Sequence, residues 1–215
     1  MGNTKHKNEH EWRRMQAEKE PEVPPEIVAE FRKRVRDYRK SLKYALLTSR
    51  FSDTSWEQNV KFRQNNKSVG CIYSSPTSVS RHIIEDSIMF IIEMNNTQNK
   101  IMGIGMVKNH PNINKYGIYE YSEFNRFMYA GKLRIDRSDM SGEEEKIMGV
   151  LDKLCFTGKK HLKRGTGITM FPAEMLYRMS SVMDLVEYVR NMFKRRMQSQ
   201  EPTVPRQYLP FTSGM

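Results

Sequence analysis

The tightest constraint on this chain lies in residues 87–108, where two apolar runs, 87–94 and 100–108, rich in Ile, Met, Phe and Val, flank a knot of asparagines, Asn95, Asn96 and Asn99. Runs of that length bounded by turn-formers read as strands, and asparagine accepts the backbone conformations that close a hairpin. A strand is expected before it at 69–73, and a further pair at 117–121 and 127–135, where aromatic and β-branched residues sit between turn-formers.

On both sides of this block the apolar period changes from two to between three and four. Ile27, Phe31, Val35, Tyr38, Leu42, Ala45 and Leu46 share one helical face, so the spacing predicts a helix over 25–50 that opens on Pro25, a residue suited to a first turn. Its other face carries Arg32, Lys33, Arg34, Arg36, Arg39, Lys40 and Lys43. Ser141 with Glu144 three residues later is a capping-box pattern, and Ile147, Val150, Leu151 and Leu154 follow at helical spacing, predicting a helix over 142–155. A last amphipathic helix is signalled after Pro172 by Leu176, Met179, Val182, Met183, Val186, Val189 and Phe193, and it ends in Lys194, Arg195 and Arg196, where cations suit the helix dipole. The class is therefore α+β, with one domain at 51–198. Residues 1–24 and 199–215 are expected as tails, the first too charged to bury a core.

Charge narrows the function. Among 215 residues, 36 Lys and Arg stand against 25 Asp and Glu, a formal net charge of +11, so the surface field should attract polyanions. The densest basic loop is 158–167, with Lys159, Lys160, His161, Lys163 and Arg164 between glycines. No apolar run reaches the roughly 18 residues of a membrane span, and residues 1–20 lack the apolar core of a secretory signal, so an intracellular setting, cytoplasm or nucleus, is expected.

The search for catalytic chemistry finds no nucleophile elbow, and neither Gly103-Ile104-Gly105 nor Gly165-Thr166-Gly167 has the remainder of a phosphate-binding fingerprint. The one local carboxylate cluster, Asp136, Asp139, Glu143 and Glu144, is explained by helix capping and the helix dipole. Cys71 and Cys155 are isolated among apolar residues and read as buried thiols, and the five histidines show no metal-ligand spacing. No enzyme, cofactor or metal is expected.

Four stretches carry a family resemblance over residues 52–140. Trp56-Glu57-Gln58-Asn59-Val60 is similar to the aromatic-Glu-Asn-Val segment of YTH domains, Tyr73-Ser74-Ser75 to their Trp-Ser-Thr stretch, residues 87–108 to their hairpin, and Gly131-Lys132-Leu133-Arg134-Ile135-Asp136-Arg137 to their Gly-x-Phe-x-Ile-Asp-Trp strand. The order resembles the YTH and EVE branch of the PUA-like superfamily. That resemblance implies a small mixed β-barrel or sheet flanked by helices, reading single-stranded or modified bases. Asn59 would then meet a base edge, Tyr73 would form one aromatic wall with Ser74 beside it, and Tyr119 or Tyr121 would form another. Tyr73 stands where that family has Trp, and Arg137 where it has an aromatic; a guanidinium there would stack on a base or hold a phosphate.

Phosphates would be held by the helical cations Arg36, Arg39 and Lys43 and by Lys159, Lys160, Lys163 and Arg164, with RNA favoured over DNA. The alternative is a structural or scaffolding protein of a virion or ribonucleoprotein particle, its tails and amphipathic helices burying against protein partners.

Overall fold

The computed structural model describes residues 23–112 and 116–200, so the expected tails at 1–24 and 199–215 lie almost wholly outside the described residues. The chain divides into two units, residues 1–40 and 41–215. The described part of the first is most of helix α1, Pro25–Ser41, whose cations Arg36 and Arg39 are exposed.

The predicted helix over 25–50 stops at Ser41. Ala45–Phe51 is instead a strand, β1, in the middle of the main sheet, parallel to β3 (Ile88–Asn95) and antiparallel to β7 (Ile168–Met170). Leu46, Leu47, Thr48 and Ser49 are all buried, because a central strand is covered on both faces and its apolar residues run on without alternation. A short apolar run of that kind is ambiguous between helix and strand, and pairing with β3 decides it. Lys43 is thereby separated from α1 and sits in the turn before β1.

The hairpin forms where expected: β3 pairs antiparallel with β4, Lys100–Lys108, and Asn99 takes a left-handed φ of 54° in the turn. The Asn95 carboxamide oxygen accepts from the backbone N–H groups of Thr97 and Gln98, which closes it. The region predicted as one strand over 127–135 is two, β5 (Phe127–Gly131) and β6 (Leu133–Asp136), which diverge to different sheets. β5 pairs with β2, Cys71–Ser75, in a two-stranded sheet, while β6 joins the main sheet, whose order is β6-β4-β3-β1-β7. The chain crosses over tightly at this corner, since a Cβ on Gly131 would overlap the Met106 carbonyl and one on Gly70 the Lys132 carbonyl. The sheet is open, with β6 and β7 as its edges, and a closed barrel is not formed.

Residues 117–121 form no strand; they bend into a 3-10 turn at Ser122–Asn125. Two further helices belong to this unit. α2, Asp53–Asn65, connects β1 to β2 under a reciprocal Ser52/Ser55 cap, and α3, Gly142–Phe156, follows the predicted Ser141/Glu144 capping box. The last helix is broken into α4 (Ala173–Met179) and α5 (Leu185–Gln200). At the break Ser180 and Ser181 donate back to the carbonyls of Tyr177 and Arg178, and the Asp184 carboxylate accepts from Glu187 N. Among the described residues no helix is long and apolar enough to cross a membrane.

The main sheet separates two cores. Leu47, Phe51, Met89, Ile91 and Val107 face Cys71, Tyr73 and Tyr129 of the small sheet. On its other side Phe90 stacks on Phe193 of α5 with ring centroids 5.4 Å apart. Both cysteines are buried, and burial pushes each thiol up to about 12.

α5 is fastened at its end by Arg195 and Arg196, which reach the buried Glu144 at 2.9 and 2.7 Å. The Arg196 hydrogen bond, against some desolvation and with help from the Ser141 N–H, holds that carboxyl down at about 2. A depressed carboxylate contributes stability that is present above its unfolded value and lost as pH falls toward its folded one. Glu144→Gln should therefore lower the urea midpoint at pH 7 while losing less than the wild type between pH 5 and about 2, roughly the window between the unfolded and folded values. Parallel losses in both proteins would show that Glu144 is not the acid-sensitive tie.

Candidate functional site

At the C-terminal end of β1 the chain turns through Ser52 into α2, and the space left between this corner, β2 and residues 119–124 is a cavity of about 400 Å³. Ser49, Arg50 and Phe51 come from β1, Thr54, Ser55 and Gln58 from α2, Ser74 from β2, and Tyr119, Glu120, Tyr121 and Phe124 from the facing segment, with Gly167 closing one side. The lining combines ring faces with hydroxyls. Phe51 is buried and meets Trp56 edge-on at 5.2 Å, whereas Tyr121 is 72% exposed.

The facing segment is irregular backbone, so its shape must come from side chains. The buried Asn125 provides it: its carbonyl oxygen accepts from Ile118 N and Tyr119 N at 3.1 and 3.0 Å, and its amide donates to Tyr119 O at 2.7 Å. Asn59 of α2 donates to the Tyr119 hydroxyl at 3.1 Å and to Ile72 O at 2.8 Å, while its own oxygen accepts from Arg63 Nε. Ser74 donates to Phe124 O. The wall is thus pinned from α2, β2 and its own 3-10 turn, which fits a preformed pocket. Asp53 at the start of α2 is turned toward the hairpin, accepting from Asn95 and Gln98 at 2.8 Å each.

Arg50 joins this cavity to the basic loop. Its Nε donates to Leu162 O at 2.5 Å and its Nη1 to the Thr169 hydroxyl at 2.8 Å. The loop is tied to the β3–β4 turn as well, through Asn96 to Lys163 O at 3.1 Å and Lys163 Nζ to Asn99 at 2.8 Å. Gly165 and Gly167 take φ values of 114° and 69°, which only glycine adopts without strain, and Gly167 lies so close to Ser75 that a Cβ would overlap its hydroxyl. Lys159, Lys160 and Arg164 are left exposed, Lys160 only loosely paired with Glu174 at 3.6 Å.

Comparison with known protein families, curated proteins and solved structures finds no match. The site is therefore read from its own chemistry.

Of the residues singled out in the sequence, Ser74, Tyr119 and Tyr121 line the cavity, and the loop cations Lys159, Lys160, Lys163 and Arg164 belong to the segment that ends at its Gly167 side. Three others are corrected. Tyr73 is fully buried in the core with its hydroxyl on Glu93 at 2.7 Å, so its ring is no wall for a base. Asn59 is 1% exposed and its polar atoms are engaged with protein, which makes it a support for Tyr119 and not a reader of a base edge. Arg137 is held by Glu145 at 2.6 Å, Asp152 at 2.8 Å and the Ile101 carbonyl, and so fastens α3 to the sheet. Arg36 and Arg39 lie in the first unit and Lys43 in the second.

Of the carboxylate cluster, Asp136 pairs with Arg134 and Ser138 and Glu144 with Arg195 and Arg196. Among the described residues no group of three or more His, Cys, Asp or Glu side chains is arranged to hold a metal.

Arg50, Phe51, Gln58 and Phe124 were missed. A signal for Arg50 was present: an arginine inside the run Leu46-Leu47-Thr48-Ser49-Arg50-Phe51 would have stood out had that run been read as a buried strand.

Proposed function

We propose that this protein binds single-stranded nucleic acid, RNA in preference to DNA, by seating an unpaired base in the cavity between β1, α2 and residues 119–124 and holding the neighbouring backbone on Lys159, Lys160, Lys163 and Arg164. The observation that carries the reading is the join between the two: a ring-and-hydroxyl-lined cavity of about 400 Å³ and the most basic loop of a +11 chain meet at Arg50 and Gly167. Aromatic faces stack on any base, and serine and threonine hydroxyls suit the ribose 2′-OH and phosphate oxygens. Kinship with the PUA-like readers belongs to the same proposal. It is supported by the succession of β1, α2, β2 and the β3–β4 hairpin, and the open sheet departs from that family's barrel.

The test is fluorescence anisotropy with single-stranded RNA, single-stranded DNA and duplex DNA over a salt series. Tyr121→Ala should weaken single-strand binding by about 5- to 150-fold, the 1–3 kcal/mol of one stacked base. Changing Lys159, Lys160, Lys163 and Arg164 together to Ala should lower the log–log salt slope by up to about 3. Binding indifferent to Tyr121 would reduce the interaction to charge alone. No binding to any of the three would overturn the reading, and tight co-assembly with one protein after nuclease treatment would replace it with the scaffold role.

A further inference from the structure

The polar side chains around the cavity divide into those already committed and those left over. Ser52 and Ser55 close the cap of α2 on each other, Ser74 donates to Phe124 O, and Asn59 and Asn125 hold the Tyr119 segment. Ser49, Gln58 and Glu120, with Thr54 and Tyr121 nearer the surface, carry side-chain polar groups that make no hydrogen bond or ion pair among the described residues. Ser49 is the unusual one. Alternation along β1 puts Leu47, Ser49 and Phe51 on one face of the sheet and Thr48 and Arg50 on the other. Phe51 meets Trp56 of α2, and Ile168, opposite Ser49 in β7, joins the same core as Leu47 and Phe51. The Ser49 side chain is therefore directed to the side on which α2 and the cavity lie, while the Arg50 guanidinium is held on the other face by Leu162 O and the Thr169 hydroxyl. Ser49 is 3% exposed, and the surface it keeps includes the hydroxyl. Buried polar side chains nearly always have a partner, so an uncommitted hydroxyl on a cavity floor points to one supplied by an occupant.

The uncommitted groups are graded by depth. Ser49 is buried beside Phe51, Gln58 of α2 is half-buried, and Glu120 is exposed next to Tyr121. Thr54 and Gln58, four residues apart, share the face of α2 that borders the cavity. A base entering past Tyr121 meets Glu120 first and Ser49 last. A serine hydroxyl and a carboxamide both donate and accept, so Ser49 and Gln58 suit the edge of any base. A carboxylate only accepts, which makes Glu120 the group with a preference, for an exocyclic amine over a carbonyl.

We propose that the cavity reads the edge of the base it seats, with Ser49 and Gln58 as its hydrogen-bonding floor and wall and Glu120 selecting bases that carry an exocyclic amine over uracil. This rests on the base-binding reading above and adds to it a choice among bases, made by three named side chains.

Cytidine and uridine RNA pentamers isolate the amine, because the two bases have the same ring size and differ at that edge. In fluorescence anisotropy the wild type should bind the cytidine pentamer about 5- to 10-fold more tightly, the lower part of the range for a base contact because Glu120 is exposed. Glu120→Gln should bring that ratio to near one, since an amide can donate to the uracil carbonyl. Ser49→Ala should weaken both pentamers about 2- to 10-fold, the range of one neutral hydrogen bond. It should also leave the thermal midpoint unchanged, because the hydroxyl has no partner to lose among the described residues. A wild-type ratio near one, a ratio that survives Glu120→Gln, or a Ser49→Ala protein that melts earlier or binds as before overturns the inference. If the pentamers still bind and Tyr121→Ala still weakens them, base binding stands without it. Failure of both pentamers to bind overturns both.

Discussion

Arg134→Met is expected to destabilise the protein by about 3–5 kcal/mol, the usual consequence of removing one partner from a buried ion pair. Arg134 Nε donates to both oxygens of Glu93 at 3.0 and 3.1 Å, its Nη2 to Oε2 at 2.8 Å, and the Tyr73 hydroxyl donates to Oε1 at 2.7 Å. Glu93 is 1% exposed, so methionine would leave its carboxylate with one neutral donor and little water. Urea denaturation checks this: the midpoint should fall with an unchanged slope. Adding Glu93→Met should return much of the loss, because two apolar residues of similar size leave no stranded charge. A single-mutant cost below about 1 kcal/mol, the level of a surface ion pair, would mean that water reaches Glu93 in solution.

The second large effect is expected at Gly105→Ala. A Cβ there would overlap the Tyr73 hydroxyl and lie 2.7 and 2.8 Å from Cζ and Cε2 of the ring. That ring cannot swing away, since it is enclosed in the core and its hydroxyl is bound to Glu93. Overpacking of this sort costs about 1–3 kcal/mol and more where neighbours are fixed, so the upper end is expected. Tyr73→Phe removes the worst overlap and should return part of the loss in a double-mutant cycle. Additive effects of the two changes would show that the strand shifts and the ring does not. Gly103 has the same role two residues earlier in β4, where a Cβ would meet Ile135 O at 2.6 Å, Glu93 Oε2 at 2.8 Å and Arg134 Nη2 at 2.9 Å.

These two glycines illustrate what the sequence can disclose. That Gly-x-Gly inside an apolar strand marks close packing was readable, because glycine in a strand interior usually signals another group approaching. What approaches was not, since Tyr73, Glu93 and Arg134 are distant in sequence: the pairing of β3, β4 and β6 brings Glu93 and Arg134 together, and packing of the small sheet against the main one brings Tyr73. The hairpin and the α3 cap were legible because their signals are local: Asn95 to Asn99 in one, Ser141 to Glu144 in the other. The residues of β1 read as helix because burial on both faces erases alternation, and α2 leaves little trace in the sequence because its apolar residues form only a weak stripe. The candidate site divides the same way. Exposed Tyr121 and the loop cations stood out by type. Tyr73, in a family-like position, is held by the buried Glu93, and Arg50 reaches the cavity border through the course of β1, which no local signal discloses.

Trp56 lies between two guanidinium groups, Arg63 at 5.6 Å and Arg134 at 5.5 Å from its ring, on the helix whose first turns border the cavity. The chain has only one other tryptophan, Trp12, which is outside the described residues. With Trp12 replaced by Phe, excitation selective for tryptophan reads Trp56 alone, whose emission is expected to respond to displacement of the Arg63 and Arg134 guanidinium groups beside its ring. An optical signal intrinsic to the chain is then expected to report the integrity of the core in a denaturant titration, with no dye attached.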